Sequence, residues 1–219
     1  MQKISNQPIT KQFAHLRRDP VLRRIMRALP AMDPTWDRKR PDHFRSLVTA
    51  IVNQQLSGKA AATILKRFTA LFPKKKFPKP EDVVKMAPAK MRKAGLSKMK
   101  VSFLKDLARH VMNGSVDFKK MKKMSDAEVI EHLVRVKGIG RWTAEMFLMF
   151  SLGRLDVFSY GDLGLRNTMQ KLYGLKKHPT EKQAEKITTA WRPYRTLASR
   201  YLWASVDFES GKKSAKKTT

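Results

Sequence analysis

Two glycines and one acid mark where this chain could do chemistry. Val136-Lys137-Gly138-Ile139-Gly140-Arg141-Trp142-Thr143-Ala144 sets a two-glycine turn between two apolar stretches of helical spacing, and Asp162 follows farther along. The first amides of a helix have no intrahelical partner. Together with the helix dipole they hold a phosphate without reading sequence. Gly138 and Gly140 let the backbone come close to such a group, Arg141 and Lys137 add charge, and Thr143 adds a hydroxyl. An ordinary turn between helices would use the same two glycines, so the turn alone leaves both readings open. Asp162 precedes Leu165, Met169 and Leu172, which share one helix face, so it stands at an N-cap position. Capping and catalysis are compatible there. The positive end of a helix favours an ionised carboxylate, and such a group can stabilise a developing sugar cation or orient water. No histidine or second acid forms an obvious dyad with Asp162. His15, His43, His110, His132 and His178 are scattered without metal-ligand spacing and read as surface or packing residues.

A second polar corner is Asn53-Gln54-Gln55-Leu56-Ser57, between two apolar helical stretches. It is either a capped turn or a probe of a duplex groove with Leu56 as a wedge. Trp142, Trp191 and Trp203 read as core in most small helical proteins, whereas an exposed one in a basic protein could stack on a base.

The elements that must carry these residues are helical almost throughout. Asp19-Pro20 reads as an N-cap with proline in the first turn, followed by Val21, Leu22, Ile25, Met26 and Leu29 on one face and by Pro30 as a stop. Phe44, Leu47, Val48, Ile51 and Val52 form a second stripe. Ser57 caps a third helix with Ala61, Ile64, Leu65, Phe68, Leu71 and Phe72 inside, and Val101, Leu104, Leu107, Ala108 and Val111 make a further face. Pro73 to Pro80 reads as a basic loop. Ser125-Asp126-Ala127-Glu128 and Thr180-Glu181-Lys182-Gln183 match the capping box, and Gly174 suits a helix C-cap. No run alternates as a strand would and no repeat is present. The expected fold is all-α, one domain over residues 1–209 with a basic disordered tail over 210–219.

Composition narrows the partner. The 219 residues carry 47 Lys plus Arg against 18 Asp plus Glu, a formal charge of +29. Such an excess favours a polyanion bound through phosphate contacts. A hydrophobic fraction of 42% supports a folded core. The absence of cysteine excludes disulfides, thiolate nucleophiles and cysteine-held zinc or iron–sulfur clusters, and fits a reducing, intracellular setting, expected to be the cytoplasm and nucleoid if the source is bacterial and the nucleus if it is eukaryotic. No segment approaches the ~20 apolar residues of a membrane span, and the N-terminal residues lack a hydrophobic signal core.

Taken together, these motifs resemble the helix-hairpin-helix (HhH-GPD) DNA glycosylases, in particular the alkylpurine branch called DNA-3-methyladenine glycosylase II. The resemblance runs from about Phe44 to Trp203. It rests on Gln54-Gln55-Leu56-Ser57, Gly138-Ile139-Gly140-Arg141-Trp142-Thr143-Ala144, Asp156-Val157-Phe158 leading to Asp162, and Trp191-Arg192-Pro193-Tyr194-Arg195, in that order and spacing. It implies a two-lobed helical fold with the hairpin motif at about 126–153 and no β-domain. It implies Asp162 as the catalytic aspartate, and Trp142 and Trp203, with Met146 and Tyr160, as the base pocket. Gln54, Gln55, Leu56 and Ser57 would contact DNA, Gln55 and Leu56 filling the gap left by a flipped base, and Gly138, Gly140, Arg141 and Thr143 would hold the backbone. The carbonyls of Val134, Val136 and Ile139 would hold a structural Na+ or K+, with no cofactor required. Trp142 occupies the place of the Schiff-base lysine of bifunctional relatives, so base removal without strand cleavage is expected. Met146 stands where some alkylpurine relatives have a pocket tyrosine. The expected function is a monomeric, monofunctional enzyme that excises 3-methyladenine and 7-methylguanine type bases from duplex DNA. A non-catalytic hairpin DNA-binding module, or a glycosylase for ethenoadenine, hypoxanthine or uracil, are the alternatives.

Overall fold

The computed structural model describes residues 7–29, 42–73 and 75–215. Among them there is no strand, as expected for an all-α chain. The chain forms two compact units, Met1–Lys39 with Gly153–Thr219, and Arg40–Leu152.

The first unit begins with α1 (Gln7–Leu16) and α2 (Pro20–Ala28). Asp19 caps α2 as predicted, its Oδ1 accepting the Val21 and Leu22 amides. Its Oδ2 accepts from the Tyr173 hydroxyl at 2.8 Å and the Trp191 indole at 3.0 Å. Burial, then the neighbouring Asp19 charge, push the Tyr173 phenol well above its usual range, so it stays a donor. Pro30, expected to stop α2, lies outside the described residues; the helix ends at Ala28, with Leu29 as C-cap.

The second unit starts with α3 (His43–Asn53), whose predicted stripe is buried throughout, and α4 (Gly58–Ala70), capped by Ser57. Of the inner face predicted for α4, Ala61, Phe68 and Phe72 are buried, while Ile64, Leu65 and Leu71 are only half-buried. Two proline-started helices follow, α5 (Pro80–Lys85) and α6 (Pro88–Lys93), both too short to show a periodic pattern. The central element is α7 (Lys98–Met112), against which α3, α5 and α6 pack. Next come α8 (Phe118–Met121), α9 (Asp126–Val134) and α10 (Arg141–Phe150). The Ser125–Glu128 capping box opens α9.

The chain then returns to the first unit with α11 (Leu163–Leu172), α12 (Glu181–Thr188) and α13 (Arg195–Ala215). Gly174 takes a φ of +63° just past α11, which suits a glycine C-cap. The core here is built from α2, α11 and α13 around the fully buried Trp191 and Tyr201. Helix α13 continues to Ala215, into the stretch expected as disordered tail; residues 216–219 lie outside the described residues.

Candidate nucleic-acid interface and active site

The hairpin is the turn between α9 and α10. Gly138 has φ of +81°, and a Cβ there would lie 2.2 Å from the Phe103 ring, so glycine is required on both counts. Gly140 is the N-cap of α10 and brings no side chain to cap it. The first-turn amides are therefore not claimed by their own cap residue, as a phosphate site needs. Lys137 is exposed, but its amide donates to Asp106 Oδ2 at 2.9 Å. Arg141 is largely exposed, and its Nε donates to Glu145 at 2.9 Å. Thr143 departs from expectation: it is 6% exposed and forms part of a cleft wall, so its hydroxyl does not stand out at the turn. The physical reason is its register, since Thr143, Ala144 and Phe147 share the buried side of α10.

The polar corner lies between α3 and α4. Gln55 adopts φ of +56°, the only non-glycine residue in the left-handed region among those described. Such strain persists where the surroundings impose it and clusters at functional sites. Leu56 beside it is 38% exposed. Gln54, expected as a DNA contact, donates its amide Nε2 to the Gly138 carbonyl at 2.8 Å, tying this corner to the hairpin. Lys100 on α7 donates to the carbonyls of Val52 at 2.7 Å and Gln54 at 2.8 Å, across the C-terminal end of α3. Burial pulls its ammonium below the usual lysine range. These groups, with Asn53, Gln55, Met99, Phe103, Trp142, Thr143 and Met146, line a 670 Å³ cleft. Trp142 is 49% exposed and is therefore not a core residue.

Asp162 belongs to the other unit. It caps α11, is 8% exposed, and its Oδ1 accepts from the Leu165 amide at 2.8 Å and from the Trp203 indole at 3.1 Å. Gly164 makes room for this pair: a Cβ there would lie 3.1 Å from Asp162 Oδ1 and 3.5 Å from the Trp203 ring. The segment leading to Asp162 is anchored at Asp156. Arg195, at the start of α13, donates Nε to Oδ1 at 2.7 Å and Nη2 to Oδ2 at 3.1 Å and to the Asp156 carbonyl at 2.7 Å, and Arg192 also donates to Oδ2 at 3.0 Å. The Thr196 hydroxyl accepts the Val157 amide at 3.0 Å. Thus α13 grips both ends of the segment, Arg195 at Asp156 and Trp203 at Asp162. Tyr160, expected in the pocket, has its hydroxyl in contact with Thr188 and Arg195 and its ring against Phe158.

The structure thus brings together Gln54, Gln55, Trp142, Thr143 and Met146 at one cleft, and Asp162 with Trp203 at a second site. Sequence reasoning missed Lys100, Phe103, Asp106 and Gly164. The first three had one available signal, their spacing of three along one helix; Gly164 had none beyond its nearness to Asp162.

A glycine hairpin that offers backbone amides, a left-handed Gln55 beside an exposed Leu56, and a buried capping carboxylate define a helical protein with an open, anion-type turn and a separately fixed acid. The comparisons narrow this. The model of the HhH-GPD superfamily base excision DNA repair proteins matches residues 48–193, and the chain belongs to that family. DNA-3-methyladenine glycosylase 1 of Schizosaccharomyces pombe is 36% identical over 197 residues, 89% of this chain and 86% of that protein. The solved structure of the S. pombe 3-methyladenine DNA glycosylase Mag1 in complex with abasic DNA matches with a TM-score of 0.78 at 35% identity, covering 88% of this chain and 95% of that one. A DNA-3-methyladenine glycosidase from Bacillus halodurans matches with a TM-score of 0.76 at 38% identity, covering 94% and 92%.

Proposed function

We propose that this protein is a DNA glycosylase that removes alkylated purines from duplex DNA by hydrolysing the N-glycosidic bond. The observation that carries this reading is the buried Asp162, fixed at the head of α11 by the Leu165 amide and the Trp203 indole. A DNA-binding module needs the hairpin and, beyond the capping of α11, has no use for a carboxylate that is also held by an indole. Hairpin amides and lysines would hold the duplex, and Gln55 and Leu56 would enter the stack as the damaged nucleotide leaves it, at a cost of a few kcal/mol. A 3- or 7-alkylated purine is already cationic, so its leaving needs little protonation. The Asp162 carboxylate would stabilise the oxocarbenium-like sugar while water adds. Trp142 would offer its ring to the electron-poor base, and Trp203 would hold the Asp162 carboxylate in place. Its place is with the DNA, inside the cell.

Strand cleavage through an imine is not part of the proposal. Trp142 has no amine, and the single lysine of the cleft, Lys100, donates its ammonium hydrogens to two carbonyls. A monovalent cation is proposed at the carbonyls of Val134, Val136 and Ile139. Helix α9 ends at Val134, so these oxygens lie where intrahelical donors run out, although the Val136 carbonyl also accepts the Ile139 amide at 3.0 Å. Neutral oxygen donors suit a hard cation, which would supply positive charge at the turn.

The test is release of free base from a panel of single-lesion duplexes and from methylated DNA. The expected outcome is release of 3-methyladenine and 7-methylguanine, with strands intact until alkali and no adduct trapped by borohydride. Binding without release from any lesion would overturn the proposal and leave a DNA-binding module.

A further inference from the structure

Three residues of α7 reach the polar corner after α3 and the hairpin after α9, the two turns that the proposed function sets against DNA. Lys100 ties the carbonyls of Val52 and Gln54 at the wedge. Phe103 fills the space beside Gly138 that any side chain there would need. Asp106 takes the Lys137 amide at 2.9 Å, and is itself flanked by Arg109 at 3.5 Å and His110 at 3.6 Å. Their spacing of three places them along one side of a 15-residue helix. The Gln54 amide closes the frame by donating to the Gly138 carbonyl. Nothing in the chemistry of base release uses any of these bonds.

We infer that α7 is a strut that registers the Gln55–Leu56 wedge against the hairpin, with Lys100, Gln54 and Asp106 as positioning residues. The inference rests on the glycosylase reading for its consequence in catalysis. A duplex fixes the distance between a phosphate and the base step beside it. A protein that grips one and enters the other must hold its two contact groups at a matching separation before DNA arrives. The left-handed Gln55 shows that the wedge is not in a relaxed turn. Lys100 supplies the restraint, because its two bonds span the carbonyls on either side of Asn53 at the end of α3. Removing it frees the wedge and leaves the hairpin intact. Removing the Asp106 carboxylate frees the hairpin amide and leaves the wedge intact. The two ends of the strut therefore fail in different ways.

The experiment uses the full chain and duplexes carrying one 7-methylguanine, opposite either cytosine or an abasic analogue, with 2-aminopurine beside the lesion. Opposite the abasic analogue the lesion is unpaired and little flipping work remains. Lys100→Met is expected to slow single-turnover release opposite cytosine by about tenfold or more, and by less than about threefold opposite the abasic analogue. Its 2-aminopurine signal should be lost while affinity for undamaged duplex stays within about twofold. Lys100→Arg, which keeps a cation with several donors, should recover most of the rate. Gln54→Leu, which buries no new charge, should show the same pattern more weakly and serves if Lys100→Met does not fold. Asp106→Ala should instead weaken undamaged and damaged duplex alike and lower the salt slope by about one contact, with Asp106→Asn restoring both. An equal slowing of Lys100→Met and Gln54→Leu on both duplexes, a retained 2-aminopurine signal, or no defect would each overturn the strut. The 2-aminopurine arm reads wedge entry whether or not the base is released, so failure of the strut and failure of the glycosylase reading are distinguishable.

Discussion

Asp162 is 8% exposed, whereas Leu56 and Trp142, in the other unit, are 38% and 49% exposed. The two sites are built on opposite plans. Around Asp162 an amide, an indole, a glycine that leaves just enough space and an arginine fork on the segment before it hold the carboxylate still. Around the hairpin and the polar corner, Gln55 holds a left-handed φ and the Gln54 amide ties the two turns together, while Gln55, Leu56, Arg141 and Trp142 stay exposed. The difference follows from what each must meet. A group that stabilises charge works best preorganised and shielded from water. Groups that grip and enter a duplex need an open surface, and only their separation has to be set in advance.

The sharpest way to break this contrast is at the carboxylate. Asp162→Asn should reduce base release by about 10²–10³-fold with duplex affinity unchanged. Asparagine caps a helix about as well as aspartate, so the melting temperature should barely move. An Asp162→Asn protein that releases base at the wild-type rate would show that the buried acid only caps α11.

The anchor behind Asp162 is next. Arg195→Met removes the side-chain bonds to Asp156 and leaves that half-buried carboxylate with Arg192 and with the residue-195 amide, which donates to Oδ1 at 3.4 Å. The cost should be about 2–3 kcal/mol, a fall in melting temperature of roughly 5–10 °C, with slower release at temperatures where the protein is still folded. A normal rate with a normal melting temperature would mean that the segment holds itself.

A smaller and different loss is expected at the hairpin. In Gly138→Ala the left-handed backbone costs about 1–2 kcal/mol and the new Cβ meets the Phe103 ring. Affinity for any duplex, damaged or not, should fall about tenfold. Adding Phe103→Ala should recover part of it, because space returns while the φ strain stays. A loss confined to damaged duplex would contradict the separation of grip from chemistry.

Much of this architecture was legible in local pattern. The capping box at Ser125, the two hairpin glycines, the N-cap position of Asp162 and the buried stripe of α3 are all short-range signals, and the structure has each in place. The ties were not legible. Lys100 reaches a carbonyl 46 positions away and Asp106 an amide 31 positions away, and both residues look like ordinary surface charges on an amphipathic helix. The internal bond of Gln54 and the burial of Thr143 were not legible either, since residue type shows a polar group but not the packing around it. The helices α5, α6 and α8 are shorter than two turns and carry no period to detect.

The smallest expected effect separates stability from function most cleanly. Gly164 lies in the first turn of α11 with an ordinary backbone, so alanine should stabilise the helix by up to about 1 kcal/mol and raise the melting temperature by roughly 2–4 °C. The same methyl would sit 3.1 Å from Asp162 Oδ1 and 3.5 Å from the Trp203 ring, tighter than the carboxylate can ignore. Shifting that oxygen by a few tenths of an ångström should slow base release several-fold, since a misplaced charge loses transition-state stabilisation before it loses anything else. Gly164→Ala is therefore expected to melt higher, bind duplex equally and turn over more slowly. Each readout has its own failure. A lower melting temperature would mean that the Asp162–Trp203 pair outweighs helix propensity. An unchanged rate would mean that the geometry around Asp162 is looser than its hydrogen bonds imply, and the contrast between a fixed site and a reaching one would lose its stronger half.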